Sequence, residues 1–465
     1  MTAELSSSLA ELPSIRVDVV ESDVRARGGL LRCEIGTNLE FDTATMESYF
    51  FAQWEPVLHD TLLVAAAVEF CDKTLRRPAG GWGRSIELRI PVHEPERWNS
   101  QDVVEALHDT LAFLTGDRWQ IVFYGRKHAE SLPRQNQFSL HGDVAAVMPF
   151  SDGLDSRAVA GIMSLELGDK LVRVRLGTKD FDGGKHGRRQ QPFTSVPFKS
   201  RAGERKFVES SARSRGFKFA LLSGLAAYLA KANQVIVPES GQGALGPTLV
   251  PVGHTYVDFR SHPLFTVRME RFLAALLGRQ VSFTFPQLWF IKGETLAQFA
   301  SKCEEGVSSW ASTWSCWQQN RHVSVENRKR QCGICAACML RGLSAHAAGL
   351  TESKAAYVWE DLGAPSFDAG AAPGFDRKKI TKAMYEYAIA GTLHLDHLAA
   401  VRHSSANAPA LALSTSQLGQ ACGLPEAEVH TRLNRLLTQH EAEWTNFVGS
   451  LGATSFVARW TAYAQ

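Results

Sequence analysis

From residue 143 onward, short apolar runs alternate with segments of helical spacing, and few folds accommodate that pattern. DVAAVMPF (143–150) is apolar almost without a break, RAVAGIMSLELG (157–168) has helical spacing, and LVRVRLG (171–177) is strand-like again. FKFALLSGLAAYLAKAN (217–233) then reads as a helix and QVIVP (234–238) as a strand. A strand without a polar face must be covered on both sides, and strands joined by helices pair in parallel. The expected fold class is therefore α/β, a parallel-sheet core that takes ligands outside the carboxyl ends of its strands.

Other segments flank this core. Within 15–125, IRVDVV, LLRCEI, SIELRIPV and WQIVFY are strand-like, and SQDVVEALHDTLAFLTG is helical, closing at Gly116. This stretch is expected to be a mixed α+β N-terminal domain. The polar residues 126–142 and the Gly/Ala/Pro-rich residues 363–374 read as linkers. They bound a central domain at 143–362 and a helical C-terminal domain at 375–465. No run of about 18 apolar residues occurs, which argues against a membrane partner. MTAELSSSLAELPS lacks the basic start and apolar core of a secretory signal, so a cytoplasmic protein is expected.

Charge narrows the partners. Lys and Arg number 50 against 48 Asp and Glu, so a polycation that coats nucleic acid is disfavoured. Residues 170–218 nevertheless hold 14 basic against 4 acidic residues. That local excess of +10 reads either as a funnel for ATP and an acidic partner or as a solvated insertion.

Four of the 8 Cys fall within 23 residues: Cys316, Cys332, Cys335 and Cys338. Four soft thiolates at two-residue gaps select tetrahedral zinc or an iron–sulfur cluster, and four buried thiols are the plain alternative. With every position filled by protein, zinc there would be structural. The second constellation is PFSDGLDS at 149–156, a strand end, a turn and a helix start. Such a helix start offers backbone N–H groups to an anion, and Ser151 and Ser156 add hydroxyls. An ordinary turn capped by Asp155 or Ser156 has the same sequence signature.

The loop resembles the SGGxDS loop of the ATP pyrophosphatase, or PP-loop, superfamily, with Asp152 where that family usually has Gly. TWSCW (313–317) followed by CGICAACMLRG (332–342) resembles the zinc signature of the 7-cyano-7-deazaguanine synthase (QueC) family. Arg215-Gly216 and Lys292-Gly293-Glu294-Thr295 are similar to two further segments of that family, and the likeness extends over about 143–350.

The resemblance implies an adenine-nucleotide-hydrolase-like PP-loop core and ATP-dependent chemistry on a 7-deazaguanine carboxylate. The carboxylate is adenylated with release of pyrophosphate, and an amine takes the acyl group. By the same resemblance Ser151, Asp152, Gly153, Leu154, Asp155 and Ser156 would hold ATP and Mg²⁺. Asp155, Ser156, Arg215, Lys292 and Glu239 would form the catalytic set, and Cys316, Cys332, Cys335 and Cys338 the zinc site. The added segments resemble long QueC-like proteins of antiphage systems such as Qat, where the acceptor is a partner protein. A small-molecule 7-cyano-7-deazaguanine synthase, a PP-loop tRNA-modifying enzyme and a non-catalytic binding subunit are the alternatives.

Two other signals carry less. Gly241-Gln-Gly243-Ala-Leu-Gly246 matches a dinucleotide fingerprint, yet Pro247 and Pro251 follow where a helix would open, so a flexible loop is expected. STSQLGQACGLPEAEVHTRLNRLL has helix–turn–helix rhythm, but only Arg432 and Arg435 could meet phosphates there, so packing on the catalytic domain or a partner is expected.

Overall fold

In the computed structural model, alternation along the N-terminal strands decides which face is buried. The model describes residues 12–41, 55–78, 81–128, 143–151, 153–176, 193–196, 198–203, 206–209, 213–251, 255–303, 309–318 and 323–462. Asp152, residues 129–142 of the first linker and residues 177–192 of the basic stretch lie outside the described residues. The chain opens with β1 (Ser14–Val20), β2 (Leu31–Glu34), β3 (Leu39–Phe41) and α1 (Pro56–Thr74). There follow β4 (Ser85–Val92), α2 (Gln101–Thr115) and β5 (Arg118–Gly125). Ile86, Leu88 and Ile90 of β4 and Trp119, Ile121 and Phe123 of β5 point into the core.

The sheet runs β2-β1-β4-β5, and every pairing in it is parallel. The segment is therefore α/β rather than the expected mixed α+β. The unforeseen element is α1, which supplies the return that a parallel pairing needs and is buried along most of its length. Its C-terminal end carries a buried ion network. Arg84 bridges Asp72 at 2.6 Å and Asp117 at 2.7 Å, and Arg77 adds bonds to both.

The second sheet contains β6 (Ala146–Pro149), β7 (Leu171–Leu176) and β8 (Phe193–Val196), with α3 (Leu154–Leu167) between the first two. The small strand β9 (Phe198–Ser200) pairs with β3 instead. Helix α4 (Arg215–Leu229), β10 (Gln234–Ile236), α5 (Gly241–Leu249), α6 (Pro263–Leu277) and β11 (Ser282–Thr284) complete the core. The order β11-β10-β6-β7-β8 is parallel throughout. Counted along the chain this is the 3-2-1-4-5 arrangement of doubly wound folds, whose strand order reverses between β6 and β10. One continuous core joins the two sheets: Leu107 and Leu111 of α2 share it with Phe265 and Phe272 of α6 and Leu221 of α4.

Beyond α7 (Lys292–Lys302) and α8 (Ala336–Ala347) the chain is helical, with α9 (Lys382–Ala400), α10 (Ala408–Cys422), α11 (Glu426–Leu451) and α12 (Phe456–Ala462). Residues 363–374, expected to be a linker, are instead part of a packed core. Phe367 is buried against Trp359, Phe456 and Trp460, and its carbonyl accepts the Trp359 indole N–H at 2.8 Å. Small residues there allow close chain approach rather than freedom.

Candidate functional site

Strand β6 delivers its chain to the point where the sheet order reverses, and the loop after it opens α3. Gly153 is the N-cap residue, with extended backbone (φ −74°, ψ 155°), and Asp155 lies in the first turn. The Ser151 hydroxyl accepts the Gly153 N–H at 3.2 Å and lies 3.0 Å from the Ser156 hydroxyl. A methyl group on Gly153 would come within 3.1 Å of the Ser151 oxygen, so glycine keeps this turn tight. The result is a helix N-terminus fronted by two hydroxyls, a physical arrangement suited to an anion.

Two more elements bring charge to the same crevice. Lys292, the first residue of α7, donates from Nζ to Asp155 Oδ2 at 2.6 Å. Ser240, just beyond β10, reaches Asp155 Oδ1 at 3.5 Å. Neighbouring Glu239 is pushed up to about 8, first by burial and then by the Asp155 charge, against the pull of Lys292 and Arg260. Burial disfavours the Lys292 cation, yet Asp155 and Glu239 outweigh it and hold its pKa above the usual range.

The structure thus brings Ser151, Gly153, Asp155, Ser156, Lys292 and Glu239 together. Arg215 joins at one remove, through Arg260: Gly216 packs on the Arg260 side chain, and burial followed by the Arg260 charge lowers the Arg215 pKa. Leu154 departs from expectation. Its side chain is buried against Leu296 and Phe299, so it anchors the helix and presents no side chain to a ligand.

Residues 241–249 form helix α5, not the flexible loop expected from their glycines and prolines. Tight packing explains the glycines. A methyl on Gly241 would meet the Leu288 carbonyl at 2.3 Å, and one on Gly243 would meet Glu239 Oε1 at 2.0 Å. Pro247 costs this helix one bond, to the Gly243 carbonyl.

Several residues that sequence reading missed hold Lys292 in place. Gln242 Oε1 accepts the Lys292 backbone N–H at 2.9 Å, and the Gln242 amide donates to His440 Nδ1 at 2.7 Å. His440, fully buried on α11, donates from Nε2 to the Leu395 carbonyl at 2.8 Å. Arg435 of the same helix pairs with Glu294 and bonds the Trp289 carbonyl, so one of the two arginines of the helix–turn–helix-like segment is spent inside the chain. Its other arginine, Arg432, pairs with Glu428 on the same helix. Gln242 and His440 are 198 residues apart in sequence, and no local pattern announces their pairing.

The four thiols converge elsewhere. Cys316, Cys332, Cys335 and Cys338 are buried, with sulfurs within 4.8 Å of one another. Cys332 Sγ lies 3.8 Å from Cys338 Sγ, which matches the edge of about 3.8 Å in a tetrahedron with zinc–sulfur bonds of ~2.3 Å. Backbone N–H groups of Cys332 and Gln318 donate to Cys316 Sγ, and that of Cys335 donates to Cys332 Sγ. Gly333 has φ +87°, and a methyl there would strike the Trp359 carbonyl at 2.7 Å, so only glycine fits the turn. Arg341, fully buried, pairs with Glu352 and donates to Thr313 Oγ1 at 2.6 Å, locking the two halves of the cysteine segment together. These four residues can hold zinc in a closed site.

Fold and site together define an α/β protein with a strand-end crevice of hydroxyl, carboxylate and ammonium groups beside a closed four-thiolate knot. No family model and no curated protein matches this chain. No described helix is long and apolar enough to cross a membrane.

Proposed function

We propose that the chain is a QueC-like, ATP-dependent C–N ligase of the PP-loop kind, acting on a 7-deazaguanine carboxylate. The observation that carries this reading is the meeting of Ser151, Ser156, Asp155, Lys292 and Glu239 at the reversal point of a doubly wound sheet. The α3 N-terminus and the two hydroxyls receive phosphate oxygens, and Asp155 supplies a carboxylate for the Mg²⁺ that accompanies ATP. A carboxylate oxygen of the base attacks the α-phosphorus, the bond to pyrophosphate breaks, and Lys292 offsets the charge on the leaving group. An amine then attacks the acyl carbon and AMP departs. Glu239, raised to about 8, is basic enough to take the proton that the amine loses. The four-thiolate knot holds structural zinc, and a partner protein in an antiphage system supplies the amine.

Pyrophosphate release from ATP with 7-carboxy-7-deazaguanine tests the reading. Release that disappears in Asp155→Asn and Lys292→Met supports it, and no release from the wild-type chain with any amine overturns it. Intact-mass measurement of candidate partner proteins separates conjugation, seen as an added deazaguanine acyl unit, from synthesis of a free nitrile.

A further inference from the structure

The N-terminal sheet has a reversal point of its own. Counted along the chain its strands run 2-1-3-4, so the order reverses between β1 and β4. The residues leaving the carboxyl ends of β1, β4 and β5 are Glu21, His93 and Arg126. Helix α1 brings His59 and Asp60 to the same end. A polar cluster thus occupies the position where open parallel sheets take ligands.

We propose that His59, Asp60 and His93 form a second metal site, taking a divalent cation of the zinc class. Asp60, 0% exposed, accepts the His93 backbone N–H at 2.9 Å, and its Oδ1 lies 2.7 Å from His93 Nδ1 and 3.8 Å from His59 Nδ1. Ligands at ~2.0–2.1 Å from a tetrahedral ion stand about 3.3 Å apart, so an ion would replace the Asp60–His93 hydrogen bond at 2.7 Å by opening that pair slightly and drawing His59 in from 3.8 Å. The His59 ring lies tilted against Phe41 at 56° and meets His93 edge-on, and both imidazoles lie beside the Asp60 carboxylate. Arg126 is the competing cation. Its Nη1 lies 3.1 Å from His59 Nδ1 and its Nε 3.4 Å from Glu21, so ion entry shifts it toward Glu21.

The site is independent of the ligase reading, and the full zinc-loaded chain tests it. Titration with Zn²⁺ is expected to give two ions per chain by elemental analysis. Titration with Co²⁺ should add visible ligand-field bands without thiolate charge-transfer absorption. Asp60→Asn and His93→Ala should weaken the second ion at least ~100-fold while keeping the first. Arg126→Gln should tighten it about tenfold, because a competing charge is removed. If His93→Ala loses both ions, it has unfolded, and His59→Asn then decides by the same count. One ion per chain at saturating Zn²⁺, in the wild type and Arg126→Gln alike, overturns the proposal. Tighter binding of inorganic phosphate than of Zn²⁺, lost in Arg126→Gln, would also overturn it.

Discussion

His440→Leu tests how the C-terminal helix supports the crevice. The substitution strands the Gln242 amide N–H and the Leu395 carbonyl, both bonded to the imidazole at 2.7 and 2.8 Å in a fully buried setting. Each unsatisfied buried group costs about 1–3 kcal/mol, and partial relaxation brings the expected total to ~3 kcal/mol. The same side chain carries a pH signature. Burial pushes the His440 pKa down to about 4, so Nδ1 stays unprotonated and can accept from Gln242. The folded chain binds this proton less readily than the unfolded chain. His440 therefore contributes fully above about pH 6.5, and its contribution is lost as pH falls through 4. The depression from 6.5 to about 4 corresponds to roughly 3 kcal/mol at the acid limit, of which about 2 kcal/mol is gone by pH 5. Urea unfolding of wild type and variant at pH 7.5 and pH 5 measures both effects. His440→Leu should be ~3 kcal/mol less stable at pH 7.5, and the gap should shrink to about 1 kcal/mol at pH 5. A gap below 1 kcal/mol at pH 7.5, or one that does not narrow, refutes the reasoning.

Four further outcomes follow from the geometry. Elemental analysis should find zinc on the four thiols, and Cys335→Ser should lower the melting temperature sharply, because a closed site adds its binding energy to folding. Gly243→Ala should displace Glu239, whose Oε1 stands 2.0 Å from the new methyl, and should cut pyrophosphate release more than it cuts denaturant stability. Arg84→Met should destabilise by about 3–5 kcal/mol in chemical unfolding, since it removes the fully buried cation between Asp72 and Asp117 and leaves Arg77 alone against two buried carboxylates. Phe367→Ala should cost ~3–5 kcal/mol by the same assay, whereas a true linker would tolerate it.

Much of this could be read from local pattern. The N-terminal strands, β6, β7 and β10, the helix after SDGLDS and the clustering of four cysteines all have short-range signatures, because periodicity and turn chemistry act within a few residues, whereas the short edge strands β8 and β11 went unread. What escaped is of three physical kinds. Helix α1 is buried along most of its length, so VLHDTLLVAAAVEF shows no polar stripe to mark it. In 241–249 and 363–374, glycine and proline composition suggested looseness, but those glycines exist because neighbouring backbone comes too close for a side chain. Gln242, His440 and the Asp60–His93 contact depend on tertiary pairing alone. The candidate crevice itself was legible in part: the loop hydroxyls, Asp155, Lys292 and Glu239 meet, while Leu154 faces the core.

The link from α11 to Lys292 also sets an order of events during synthesis. The loop before α3 leaves the ribosome well ahead of α11, together with most of its sheet, whereas His440 lies midway along that later helix. A nascent or truncated chain that stops before His440 has the turn of Ser151 and Gly153 but lacks the brace on Gln242 that steadies Lys292 beside it. Synthesis through α11 thereby becomes a condition for a settled crevice, and a fragment that stops before that helix would carry the loop without its supported lysine.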